Sequence, residues 1–138
     1  MAATPLTNKR EIYADFNTDF TVHPVKKDLT RLTNEDAVKR SIKNILLTNS
    51  YERRFRPAFG ANIRRHLFEN VNPLILEVIK DEIISAITNY EPRAEIVDVT
   101  VSSLENDDNA VNVKILFTII NSLQVVTITT TITMDRVR

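Results

Sequence analysis

Residues 87–99 read Ile-Thr-Asn-Tyr-Glu-Pro-Arg-Ala-Glu-Ile-Val-Asp-Val (ITNYEPRAEIVDV), and the fold class turns on where this stretch divides. Before it, Leu74, Ile75, Val78, Ile79, Ile83, Ile87 and Tyr90 recur at helical spacing, with Leu76 and Ile84 widening the face and Lys80, Asp81 and Glu82 on the wet side. Pro92 forbids continuation, because it lacks an N–H and pushes Glu91 out of the α region. From Ala94 the period falls to two: Val97, Val99 and Val101 alternate with Asp98, Thr100 and Ser102, which predicts a half-buried strand. A helix therefore hands over directly to a sheet. Glu91 is the odd residue here, since an acid at a helix C-terminus faces the negative end of the dipole. Either it pairs with nearby Arg93, or it has a partner on another molecule.

Upstream, Asn72 and Pro73 form a favoured cap and first-turn pair for the helix just described. Another helix is predicted from Asn34 to Leu47, with Thr33 or Asn34 as cap and Val38, Ile42, Ile45 and Leu46 as its apolar stripe. A short third helix, Ile63 to Glu69, is expected behind an Asn62 cap. Between them lies the segment richest in special residues, with Arg53, Arg54 and Arg56 among Tyr51, Phe55 and Phe59. Gly60, the only glycine in the chain, predicts a tight turn after Phe59.

Downstream, residues 105–109 (ENDDN) carry turn chemistry, and Val111, Val113, Ile115, Phe117 and Ile119 fall on one face of a second strand. After Asn121-Ser122 a third strand places Val126, Ile128, Ile132 and Met134 on one side and Thr127, Thr129, Thr131 and Thr133 on the other. The expected architecture is α+β: two main helices and a short one packed on a small antiparallel meander of three or more strands. Residues 1–32, with Tyr13, Phe16 and Phe20 but no helical period, are expected as an N-terminal arm to a single domain over 33–138. The last strand has no proline, lysine or inward charge between Leu123 and Met134, so it reads as an unguarded edge, open to strands of another chain.

Composition narrows the chemistry. The chain has 138 residues, with 18 basic and 18 acidic side chains cancelling, so no overall field argues for nucleic acid or an anionic membrane. It contains no cysteine, which excludes disulfides, thiolate zinc sites and cysteine nucleophiles. One glycine excludes glycine-rich phosphate loops. No window is long and apolar enough for a signal peptide or a membrane span, so synthesis in the cytoplasm is expected. His23 and His66 have neither a metal-ligand spacing nor an adjacent acid, and no cofactor is expected. Glu69 and Glu91 could be imagined as a lysozyme-like pair, but the chain has no tryptophan and little else to build a sugar cleft.

Taken together, Arg56-Pro57-x-Phe59-Gly60, then Leu67-Phe68-Glu69, a helix opening near Pro73, and Tyr90-Glu91-Pro92-Arg93 before a sheet resemble a known family. These are the baseplate wedge proteins of contractile phage tails, with relatives in type VI secretion and other contractile injection machines. The resemblance covers roughly residues 36–120. It implies a structural protein without enzymatic activity of its own, present in several copies in the tail baseplate of a virion assembled in the host cytoplasm. It implies that Tyr90, Glu91, Pro92 and Arg93 contact the helical core bundle of the wedge. It also implies that the C-terminal strand, with Val125, Thr127, Thr129, Thr131 and Thr133, faces the tail sheath and starts its assembly by strand addition. On that reading the partners are other wedge proteins and the sheath protein, with no nucleic acid and no membrane, and Arg93→Ala is expected to fold normally yet fail to join wedges. The alternatives are the equivalent part of a type VI or phage-tail-like injection system, a muralytic enzyme, and a free-standing adaptor domain.

Overall fold

The computed structural model describes residues 12–17, 19–67, 72–104, 107–120 and 125–133. Its elements run β1 (Ala14–Phe16), β2 (Arg31–Thr33), α1 (Glu35–Leu47), α2 (Ile63–His66), α3 (Pro73–Tyr90), β3 (Ala94–Leu104), β4 (Asp107–Ile119) and β5 (Val125–Thr133). The strands form a pair β1-β2 and an antiparallel sheet in the order β3-β4-β5, an α+β architecture. The chain divides into two compact units with the break between Ala37 and Val38, inside the first turn of α1.

In the N-terminal unit, β1 and β2 pair antiparallel, and a bridge between Val22 and Leu29 extends the ladder. His23 organises the turn: its Nδ1 accepts the Val25 and Lys26 amides, both at 3.2 Å, and its carbonyl accepts the Lys27 amide at 2.9 Å. The pairing has no sequence signature, because exposed strands leave no apolar alternation. Asn34 does not act as a simple cap. Its Oδ1 accepts the amides of Ile12 and Tyr13, and its own amide donates to the Tyr13 carbonyl at 2.8 Å.

In the C-terminal unit, α3 follows its sequence signals closely at both ends. Asn72 accepts the Ile75 amide at 2.9 Å and Pro73 opens the helix. The helix stops at Tyr90, with Glu91 as C-cap. Its buried stripe is Ile79, Ile83, Ala86 and Ile87. Leu74 and Val78 are exposed, contrary to the expected broad face. At 3.6 residues per turn, Leu74 lies roughly 140° round the helix from Ile79, on the far side of the stripe. The short helix α2 ends at His66, and Asn62 makes no side-chain cap to it; its backbone is left-handed, at φ 49°. Phe68 and Glu69 lie outside the described residues.

The sheet core is Val99, Ala110, Val111, Val113, Ile115, Phe117, Ile119 and Val126, all buried. β4 begins at Asp107, so part of the expected turn is strand. The expected face of β3 needs a correction. Ile96 pairs with Phe117 but Asp98 pairs with Leu116, so Val97 is an extra residue, a β-bulge. The bulge reverses the phase: Ala94 faces inward before it and Val99 after it, while Val97 is 58% exposed.

Candidate functional site

The residues singled out at 56–60 and 90–93 come together at the C-terminal end of α3. Arg93 reaches back over Pro92 to Glu91, its Nε donating to Oε1 at 2.5 Å and its Nη2 to Oε2 at 2.8 Å. Ser41 on α1 adds a hydrogen bond to the same carboxylate. The Glu91 side chain is 2% exposed and that of Arg93 is 28% exposed. Burial alone would push the Glu91 carboxyl up. The hydrogen bonds from Arg93 and Ser41, with the guanidinium charge, outweigh that and hold it below its ordinary value of 4.5. The acid at the unfavourable helix end is thus compensated within the chain. Backbone bonds lock the junction too, from the Ala94 amide to the Glu91 carbonyl at 3.2 Å and from the Ile120 amide to the Arg93 carbonyl at 2.9 Å.

Tyr90 joins this junction to the glycine turn. Its hydroxyl donates to the Ala58 carbonyl, and its ring meets Phe59 at a centroid distance of 4.9 Å with a tilt of 53°. The Arg53 guanidinium covers the Phe59 ring, 4.7 Å from its centroid. The turn then enters Gly60 at φ 113°, where a Cβ would stand 2.3 Å from the Thr48 carbonyl oxygen. Only glycine fits a backbone packed so closely on another. Beyond it, the Ala61 amide donates to the Ile45 carbonyl at 3.2 Å, tying the turn to α1, and Leu67 is fully buried.

Beside the junction an open groove of about 560 Å³ runs between α3 and β3. Lys80, Ile84, Thr88, Pro92, Glu95 and Val97 line it. Across the sheet, β5 pairs with β4 on one side and with no described strand on the other. Thr127 and Thr129 are exposed and oppose Leu116 and Lys114, while Val126 is buried against Phe117. Val125, Thr131 and Thr133 belong to the same strand by backbone register. Leu123 and Met134 lie outside the described residues.

Sequence reasoning missed Ser41, Thr48 and Ala58. Each acts on a residue distant in the chain, two of them through backbone carbonyls, and a carbonyl leaves no trace in residue identity. It also missed the approach of His66 Nε2 to Glu82 Oε1 at 3.0 Å, which links α2 to α3. Among the described residues no group of three or more His, Asp or Glu side chains could hold a metal ion.

Fold and site together describe a small α+β scaffold with a locked helix-to-strand junction and a sheet margin that no described strand covers. Residues 33–124 match the family described as baseplate wedge protein gp25, and the chain belongs to that family, among the structural components of contractile-tail baseplates. It is 32% identical over 117 residues to the baseplate wedge protein gp25 of Enterobacteria phage T4, covering 85% of this chain and 87% of that one. A Geobacter sulfurreducens crystal structure named for a tail lysozyme superposes with a TM-score of 0.67 at 27% identity, over 75% of this chain and 94% of the other. A chain of the anti-feeding prophage baseplate shares the fold with a TM-score of 0.62 at 19% identity, over 86% of this chain and 83% of that one. One of the pyocin R2 baseplate does so at 0.55 and 17%, over 89% of this chain and all of the other.

Proposed function

We propose that this protein attaches to the helical core of a baseplate wedge through the junction at Tyr90–Arg93 and that β5 templates the first ring of tail sheath. The observation that carries the reading is β5 at the sheet margin, with no described strand on its outer side. Incoming sheath strands would pair with the N–H and C=O groups on its outer side, and its alternating side chains would set their register. At the junction, Pro92 and the exposed part of Arg93 are the surface offered to the wedge, and Glu91 serves from behind by fixing the guanidinium. The groove next to Pro92 gives a partner helix an apolar seat with charges at its rim. Several copies would take these positions in each particle, assembled in the host cytoplasm.

No catalysis is assigned. A glycosidase acid needs a carboxyl held above its ordinary pKa, whereas Glu91 is held below it and both its oxygens are engaged. Purified protein should leave peptidoglycan intact; turnover that disappears in Glu91→Gln would revive the muralytic alternative. The family's place in injection machines keeps a second reading, the same wedge role in a headless particle. The likeness to the anti-feeding prophage and pyocin chains favours it only at the level of fold.

The deciding experiment is Thr129→Pro in assembled particles. Thr129 is exposed on β5, and proline there removes a backbone donor. Baseplates should contain the variant at normal stoichiometry and carry no sheath. Sheath of normal length on such baseplates would refute strand templating.

A further inference from the structure

The loop joining α1 to α2 presents a surface that neither proposed contact uses. Every residue from Tyr51 to Ala58 is exposed. Phe55 is 100% exposed and Tyr51 85%. Both hold left-handed backbone, at φ 67° and 69°, a conformation aromatic residues disfavour. The loop is nevertheless cross-tied. The Tyr51 amide donates to the Pro57 carbonyl at 2.8 Å, closing the base, and the Arg56 and Phe59 amides donate to the Arg53 and Arg56 carbonyls at 3.3 and 3.1 Å. Glu52, its only acid, accepts the Asn49 amide at 2.9 Å. Arg53 is anchored on Phe59, which is anchored on Tyr90.

This construction fixes an aromatic tip in water with Arg54 and Arg56 on either side of it. We propose that the loop is a docking knob for a neighbouring baseplate protein. Phe55 and Tyr51 enter an apolar recess on that protein, and aspartates or glutamates at the rim of the recess pair with Arg54 and Arg56. Aromatic and arginine side chains are the residue types that dominate interface energetics, and guanidinium forks suit carboxylates. Pre-fixing the loop lowers the entropy lost on docking. A protein partner is favoured over nucleic acid because the chain has no net charge and the loop's positive excess is confined to a few arginines, short of a backbone-tracking groove. The inference rests on the baseplate reading and adds a contact to it.

The test replaces Phe55 with the photo-crosslinker p-benzoylphenylalanine in whole particles, with the same probe at exposed Asp81 as reference. Irradiation should join position 55 to one defined polypeptide segment bearing Asp or Glu, at a yield well above the reference. Arg54→Glu with Arg56→Glu should lower incorporation into particles by about tenfold or more. The same change should leave the melting temperature of the isolated chain unaltered. Cross-links to nucleic acid, a yield equal to the reference, or normal incorporation of the double variant would each overturn the knob while leaving the baseplate reading intact. Absence of the wild-type chain from particles would overturn both.

Discussion

Arg93 closes on Glu91 with two parallel hydrogen bonds across a single intervening proline, and the carboxylate it grips is almost wholly removed from solvent. This pair makes the helix stop and the strand start one rigid corner.

Arg93→Ala should destabilise the fold, contrary to the sequence expectation of normal folding. It strands a buried carboxylate, a loss of about 3 kcal/mol, the low end for a broken buried pair because Arg93 is 28% exposed. Chemical denaturation measures it, and a loss below about 1 kcal/mol would show that Ser41 alone suffices. Glu91→Met with Arg93→Met removes both charges and should be far milder. That double variant is therefore the cleaner probe of wedge attachment, and its normal incorporation would refute the junction contact.

The pair also sets a pH dependence. The Glu91 carboxyl is lowered in the folded state, so its contribution is fully present above the unfolded value near 4.5 and fades as pH falls below that, through the folded value. Melting curves of wild type and the double Met variant between pH 7 and pH 3 should converge at the acid end. A constant gap across that range would mean the ionised pair contributes nothing.

Gly60→Ala should be among the most damaging small changes. Its new Cβ would stand 2.3 Å from a backbone oxygen at a φ of +113°. Strain and overpacking at ~1–3 kcal/mol each give about 2–6 kcal/mol. A melting temperature within a degree of wild type would show that the Thr48 carbonyl yields freely.

Val97→Thr and Val99→Thr should behave oppositely although the residues share one strand. Val97 is on the bulge and exposed, so threonine should change stability by less than about 0.5 kcal/mol. Val99 is buried, and a hydroxyl there costs about 1–3 kcal/mol unless it finds a partner. Equal effects in thermal melts would contradict the bulge.

Much of this was legible in the residues. Pro92, the Asn72-Pro73 pair and the alternation of β4 each encode a local rule, and the structure follows all of them. The family signature was legible as spaced fragments. What escaped was whatever depends on two distant segments meeting. Nothing near Ser41 announces Glu91, and nothing near Ala58 announces Tyr90. Val97 escaped for a different reason: a bulge resets a period of two without altering composition. The hairpin over residues 12–33 escaped because strands that bury little leave no periodic trace.

The bulge at Val97 also sets a rule for anyone recombining this chain with a relative. Residues on either side of it obey opposite parity, yet Ile96, Asp98 and Val99 face Phe117, Leu116 and Ile115 in unbroken succession, so a crossover that drops position 97 only straightens the strand and leaves every later residue of β3 on its own face. Dropping Thr100 instead, in the regular ladder past the bulge, would put Val101 in water opposite Lys114 and Ser102 in the core opposite Val113. Chimeras joined at the helix-to-strand corner therefore keep the phase whether or not the relative carries the extra residue; those that lose a residue past Val99 invert the rest of the strand with one deleted codon.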